Sequence, residues 1–193
     1  PGPLMRVVRH ADLVPQPWKN GGGTTREVCA FPPGATLDGF DWRLSMATVA
    51  KDGPFSAFPG IDRVLIVLAG GGLDLTLPDG DRRLMPGQMM SFAGETPVQA
   101  SLPAGPIEDL NLMVRRDRLS GQMERHRLAS GASLSPDGRV RAIVVQDGAV
   151  QSAVGLLGPG DTLLMGTDTA VRLLAKAEVA LIMISLTAQQ RQR

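Results

Sequence analysis

No apolar run in this chain is long. The runs are punctuated by turn formers, with 23 glycines and 15 prolines spread over 193 residues. Runs of five or six apolar residues between turn formers have the length of strands and are too short for packed helices. Val64-Leu65-Ile66-Val67-Leu68 reads as a buried strand, Gly70-Gly71-Gly72 as a turn, and Leu73-Asp74-Leu75-Thr76-Leu77 as a strand alternating with period two. Pro78-Asp79-Gly80-Asp81 ends that strand with strong turn chemistry. Ala142-Ile143-Val144-Val145 and Ala180-Leu181-Ile182-Met183-Ile184-Ser185 are further core strands. Arg115 to Leu128, polar almost all round, is the only segment predicted as a helix, a short connector. The predicted fold class is all-β with little helix.

Two pairs of matching segments recur at one constant offset, and a third follows in the same order. Pro86-Gly87-Gln88 returns as Pro159-Gly160-Asp161, and Gly94-Glu95-Thr96-Pro97-Val98 as Thr167-Asp168-Thr169-Ala170-Val171. A little further on, Leu112-Met113-Val114 resembles Ile182-Met183-Ile184. Each copy runs turn, short strand, turn, apolar strand, so two related β-barrel or sandwich modules are expected, residues 5–116 and 117–193, sharing a core. The formal net charge of +1 gives no reason to expect nucleic acid or a membrane surface as partner. The single cysteine, Cys29, rules out an internal disulfide and fits a reducing, cytoplasmic setting. With only His10 and His126 as imidazole bases, a small buried thiol is a better reading of Cys29 than a nucleophile. No secretory leader is expected, Val179 to Ile184 is too short to span a bilayer, and Pro1-Gly2-Pro3 is set aside before a start expected near Met5.

Chemistry concentrates in Pro17-Trp18-Lys19-Asn20-Gly21-Gly22-Gly23-Thr24-Thr25-Arg26-Glu27. Three glycines allow close approach of backbone to a ligand or another surface, and a cation, an amide and hydroxyls stand beside them. The same stretch also reads as a tight turn with ordinary polar neighbours. In Trp42-Arg43-Leu44-Ser45-Met46-Ala47-Thr48-Val49, alternation puts Arg43, Ser45 and Ala47 on one face. In Glu108-Asp109-Leu110-Asn111-Leu112-Met113-Val114 it groups Asp109, Asn111 and Met113. Turned inward, these faces line a cavity; turned outward, they are a solvated sheet surface. An inward Arg43 needs Asp109, Glu27 or a ligand carboxylate as partner. Between these strands, Phe55 and Phe58 are expected to plug a barrel end rather than wall a pocket. Arg63 either meets a ligand or anchors its loop through Asp52 or Asp62.

The β-run, Gly-x-Gly turn and Pro-Gly turn resemble cupin modules, and two would make a bicupin. Metal-using cupins place histidines and a carboxylate on adjacent strands. Here neither Asp62–Gly72 nor Gln88-Met89-Met90-Ser91-Phe92 carries a histidine, while His10 and His126 sit in Arg-flanked surface segments. No metal and no cofactor is expected. Pro17–Glu27, Trp42–Ala47, Asp52–Arg63 and Asp109-Leu110-Asn111-Leu112-Met113-Val114-Arg115-Arg116 occur in an order similar to that of the HutD/Ves family of cupin-like proteins and cover most of Val8 to Arg116. The resemblance implies a bicupin. It also implies a protein of bacterial histidine utilisation that binds a small pathway metabolite, such as a formylated or formimino amino acid, and restrains the pathway.

The expected function is therefore regulatory binding of a small carboxylate-bearing metabolite. Arg43, with Lys19 or Arg63, neutralises the carboxylate. Asn20, Thr25, Ser45 and Asn111 bond the other end, and Asp109 completes the ligand-binding set. The alternative is a metal-free isomerase or hydrolase on a similar substrate, with Glu27 or Asp109 as general base. A third reading is an interaction protein without a ligand. A homodimer formed through sheet edges is compatible with all three.

Overall fold

The computed structural model describes residues 5–167 and 169–189. Pro1-Gly2-Pro3 and Asp168 lie outside the described residues. The chain is almost entirely β: β1 (Met5–Val8), β2 (Gln16–Pro17), β3 (Gly23–Phe31), β4 (Trp42–Val49), β5 (Gly53–Pro54), β6 (Ile61–Gly70), β7 (Leu73–Leu77), β8 (Gly80–Leu84), β9 (Met89–Ala93), β10 (Gln99–Ser101) and β11 (Ile107–Arg115) come first. There follow β12 (Leu119–Leu128), β13 (Ser133–Leu134), β14 (Val140–Asp147), β15 (Val150–Ser152), β16 (Gly155–Leu157), β17 (Thr162–Met165), β18 (Leu173–Ala175) and β19 (Val179–Ala188). One 3-10 turn, His10–Asp12, interrupts them. Among the described residues no helix is long and apolar enough to cross a membrane.

Two compact units result. The first, Val14–Gly121, holds a six-stranded sheet in the order β2-β3-β4-β11-β6-β9 and a four-stranded sheet in the order β5-β10-β7-β8. Its core includes Val49, Leu65, Val67, Leu73, Leu75, Val98 and Ile107. The second, Gln122–Thr187, takes in the chain as far as Leu13. It holds the sheets β1-β17-β14-β19-β12 and β13-β18-β15-β16. Sequence divided the modules at 116/117, but β1 pairs antiparallel with β17, Met5 opposite Met165, so the N-terminal strand packs with the later half of the chain.

The repeat has a geometric counterpart. In the first unit the Gly87 N–H donates to the Val67 carbonyl at 2.8 Å, and the Val67 N–H donates to the Gln88 carbonyl at 3.1 Å. In the second, the Gly160 N–H donates to the Val145 carbonyl at 2.8 Å, and the Val145 N–H donates to the Asp161 carbonyl at 3.0 Å. Gly87 and Gly160 share a φ of 87° and 82°, a left-handed conformation that a side chain resists. The two Pro-Gly turns therefore hold equivalent strand pairs.

The predicted helix over Arg115 to Leu128 is not formed. β11 continues to Arg115, and Leu119–Leu128 is β12, an edge strand of its sheet. Met123 is the one fully buried residue of β12. An edge strand with both flanks largely in solvent shows no apolar period, and the sequence cue is lost. Cys29, expected in the core, is half-buried on β3.

Candidate functional site

The inner face of the six-stranded sheet changes character along its length. Register aligns Val49 with Ile107, then Ala47 with Asp109, Ser45 with Asn111, and Arg43 with Met113. On the other side of β11, Asp109 faces Val67, Asn111 faces Leu65, and Met113 faces Arg63. One end is hydrocarbon and the other polar. The polar end opens into a cavity of about 690 Å³. The opposite face of the same strands, including Leu44, Ile66, Leu110 and Leu112, is buried as well. Both faces are thus excluded from bulk water, and the polar set is the one that meets the cavity.

All eight residues picked from sequence, Lys19, Asn20, Thr25, Arg43, Ser45, Arg63, Asp109 and Asn111, line this one cavity. They differ in depth. Asp109 is 1% exposed, Ser45 3%, and Arg63 and Asn111 6% each, so these four form the floor. Arg43 is half-buried, while Lys19, Asn20 and Glu27 stand exposed around the mouth.

A directed chain of hydrogen bonds crosses the floor. Arg63 Nη2 donates to Asn111 Oδ1 at 3.2 Å, and Asn111 Nδ2 donates to Asp109 Oδ1 at 2.8 Å. Because guanidinium only donates, Arg63 settles which way the Asn111 amide points. Arg63 Nη1 donates to the Ser56 carbonyl at 3.2 Å. Its Nε has no hydrogen-bond partner among the described residues. Instead the guanidinium carbon lies 5.6, 5.4 and 4.9 Å from the ring centres of Phe55, Phe58 and Phe92. The ring faces carry partial negative charge and offset some of the lost hydration. Burial pulls the Arg63 pKa down to about 10, the nearby Asp109 opposing this, so the group stays charged at neutral pH.

Asp109 responds the other way. Burial pushes its carboxyl up to about 7, against the pull of the Arg63 charge and of hydrogen bonds from the Ala47 backbone and Asn111. Taking a carboxylate out of water disfavours the ion, and here no ion pair compensates it among the described residues. Arg43 is partnered: its Nε donates to Glu27 Oε1 at 2.8 Å, satisfying one of the three partners expected for an inward arginine.

Nearer the mouth, two of the eight residues shape the loop. Asn20 Oδ1 accepts the Gly22 N–H at 2.9 Å, closing a turn in which Gly21 has φ of 71°. Thr25 Oγ1 accepts the Trp18 Nε1–H at 2.8 Å. Gly23 is needed for close approach: a Cβ there would run into the Thr48 carbonyl oxygen and stand 3.1 Å from the Trp18 ring. The glycine triplet thus packs Trp18 onto β4 and against the cavity rim.

Two expectations change. Phe55 and Phe58 line the cavity instead of plugging a barrel end. Arg63 does not anchor its loop through Asp52 or Asp62, since Asp62 pairs with Arg116 at 2.6 Å and Asp52 accepts the Leu102 N–H at 2.8 Å. The loop carbonyl of Ser56 takes that part. Sequence reasoning also missed Ala35, Thr36 and Leu37 on the β3–β4 loop, which border the cavity; nothing in that Pro/Gly-rich stretch signals a wall. His10, His126 and Cys29 do not line the cavity. Among the described residues no group of three or more His, Cys, Asp or Glu side chains is placed to hold a metal ion.

In the second unit the described residues at the corresponding positions are apolar. On the sequence register that aligns Met113 with Met183, Asp109 and Asn111 correspond to Val179 and Leu181, both inside that unit's hydrophobic core. Ile143, Val145, Leu163 and Met165 belong to the same core.

Comparison with known proteins agrees with this architecture. The HutD family profile matches residues 10–183. Protein Ves of Cronobacter sakazakii is 36% identical over 174 residues, 88% of this chain and 92% of that protein. Protein Ves of Citrobacter koseri is 45% identical over 108 residues; the chain spans 55% of its own length and 56% of that relative, a little over half. An uncharacterized 21.2 kDa protein in the hutC 3' region of Pseudomonas putida is 40% identical over 135 residues, 67% of this chain and 70% of that protein. The structure of HutD from Pseudomonas fluorescens superposes with a TM-score of 0.81 at 30% identity, covering 96% of this chain and 100% of that one. Escherichia coli YhhW, 9% identical with a TM-score of 0.70 over 97% of this chain and 100% of its own, shares the cupin-like fold alone. With a profile match running almost from end to end and a Ves relative aligned over nearly its whole length, the chain belongs to the HutD family.

Proposed function

We propose that this protein binds a small carboxylate-bearing metabolite, a formylated or formimino amino acid of histidine catabolism, and through that binding restrains the pathway in the cytoplasm. One observation carries the reading: eight polar side chains from distant parts of the sequence converge on a single cavity of about 690 Å³. That volume lies within the range of small-molecule sites, roughly 300–1,000 Å³. Arg43 and Lys19 give the mouth positive charge for a carboxylate, and the floor gives a short row of hydrogen-bonding groups for a compact polar end. The family name and the hutC-region relative support the metabolic setting.

Thermal unfolding against N-formylglutamate, formiminoglutamate, urocanate and histidine tests the proposal. A ligand at 100 times its Kd stabilises the folded state by about 2.7 kcal/mol, which for a chain of this size raises Tm by roughly 5–10 °C. No rise with any of the four at millimolar concentration refutes it.

A second reading is a metal-free enzyme on the same class of substrate. A carboxyl in the cavity floor with its pKa near 7 suits a general base at neutral pH. Turnover by chelator-treated protein, lost in Asp109→Asn, supports this reading, and absence of turnover across the four compounds removes it. Glu27, the other candidate base, is 49% exposed and tied to Arg43.

A further inference from the structure

The binding proposal treats the ligand as an anion or carbonyl held by cations and amides. The floor of the cavity carries one group that does not fit this picture as an ion. Asp109 sits in the wall, almost wholly buried, and forms no ion pair among the described residues. An acceptor oxygen of a ligand arriving beside an ionised Asp109 would meet lone pairs and a like charge, with little solvent to screen them.

The neighbours of Asp109 are already committed. Asn111 Oδ1 is occupied by Arg63 Nη2, and one Asn111 N–H is given to Asp109 Oδ1. Arg63 is turned to Asn111, to the Ser56 carbonyl and to its three phenylalanine rings. Around Asp109 the charged groups are Arg63 on β6, Arg43 on β4 paired with Glu27 on β3, Lys19 on the loop before β3, and Glu108 beside it on β11. Glu108 opposes ionisation of Asp109 and Arg63 favours it. The donors left for a ligand at this depth are the Arg63 Nε–H, unpartnered among the described residues, the second Asn111 N–H, the Ser45 hydroxyl and, when protonated, the Asp109 hydroxyl, the one of these that ionisation removes.

We infer that Asp109 meets the ligand as a neutral acid, donating its O–H to an acceptor oxygen of the ligand, so that binding above neutral pH draws one proton from solution. This rests on the binding function proposed above and narrows it. The deep end of the ligand is an oxygen acceptor, a formyl or carboxylate group, and not an amidine, which would bring its own donors. The balance is simple: ligand and one solvent proton enter, no covalent bond forms in the ligand, and the proton resides on a carboxyl oxygen of Asp109. Burial that already favours the neutral form supplies the bias.

Isothermal titration calorimetry at pH 6 and pH 8 tests this, each in two buffers of different ionisation enthalpy, with N-formylglutamate and with formate as the smallest acceptor anion. At pH 8 the apparent enthalpy depends on the buffer and reports uptake approaching one proton per ligand; at pH 6 uptake falls towards zero. Affinity drops about tenfold per pH unit above pH 8. Asp109→Asn, which keeps the shape, binds without buffer-dependent enthalpy and with a flat pH profile. Measurable wild-type binding at pH 8 without proton uptake overturns this inference and leaves the binding function standing. Absence of binding by both compounds at both pH values overturns this inference, and the binding function falls with it only where formiminoglutamate, urocanate and histidine also fail to bind. Proton uptake that persists in Asp109→Asn places the proton elsewhere and also overturns the inference. The wild-type measurement decides the question even where the variant does not fold.

Discussion

Replacing Asp109 by asparagine should change how stability depends on pH, with no ligand present. In the unfolded chain the Asp109 carboxyl ionises near 3.8, and in the folded chain burial pushes it up to about 7. Below about pH 4 both states hold the proton and no penalty exists. Between about pH 4 and 7 the unfolded chain releases the proton while the folded one keeps it. Stability therefore falls as pH rises, by at most about 1.4 kcal/mol per pH unit. Above pH 7 the loss levels off at a total on the order of 4 kcal/mol, the size of the separation between the two pKa values. Asp109→Asn retains an oxygen to accept the Asn111 N–H and has no proton to lose, so this slope disappears. Urea denaturation of both proteins from pH 4.5 to 8.5 measures it. Other carboxyls, such as Glu95, held down to about 2 by Arg116 and the Gly60 N–H, titrate alike in both and cancel in the difference. The variant should gain on the wild type steadily between pH 4.5 and 7 by several kcal/mol. A difference constant to within about 0.5 kcal/mol over that range would refute the claim that burial outweighs the pull of Arg63 on the Asp109 carboxyl.

Arg63→Met keeps apolar bulk under the three rings but removes the guanidinium charge that favours ionisation of Asp109; the pH at which the stability loss levels off should move above 7 in the same urea series, and an unchanged midpoint contradicts the pull of the Arg63 charge on Asp109. Arg43→Gln should cost under about 1 kcal/mol of stability, because its Glu27 partner is half exposed, yet weaken N-formylglutamate binding about tenfold or more by calorimetry; equal affinity would remove Arg43 from the ligand's path. Gly23→Ala should destabilise by about 1–3 kcal/mol in chemical denaturation, since its Cβ meets the Thr48 carbonyl and the Trp18 ring, whereas Gly34→Ala, with nothing within 4 Å, should show only the smaller strain of its positive φ. The two tryptophans divide the fluorescence: a ligand in the cavity should alter emission in Trp42→Phe, where Trp18 remains, and leave Trp18→Phe nearly unchanged.

Much of the site was legible because strands impose a period of two. Arg43, Ser45 and Ala47 had to share a face, as did Asp109, Asn111 and Met113, wherever the strands were placed. The strand limits of Leu73–Leu77 followed from its flanking turn residues, and Trp42–Val49 was legible from its alternation. The edge strand Leu119–Leu128 was not legible, because a strand with little to bury leaves no periodic trace. The partner of Arg63 was not legible either: Asp52 and Asp62 are near it in sequence, while Asn111 reaches it only across a paired strand. The role of Phe55 and Phe58 was equally hidden, because the Arg63 guanidinium that they and Phe92 surround comes from a strand whose placement local sequence does not fix.

What the sequence determined by itself was local: strands in place of helices, two repeated modules, and polar sets confined to one face of β4 and β11. These follow from turn chemistry and from the alternation of side chains, which involve only near neighbours along the chain. Tertiary structure alone decided that the polar face looks into a hollow, that Asp109 lies beneath it with Asn111 between it and Arg63, and that Val179 and Leu181 at the corresponding positions join the second unit's hydrophobic core. Burial and the pairing of distant strands set those outcomes, and both depend on how the sheets close on each other, a property no window of sequence contains.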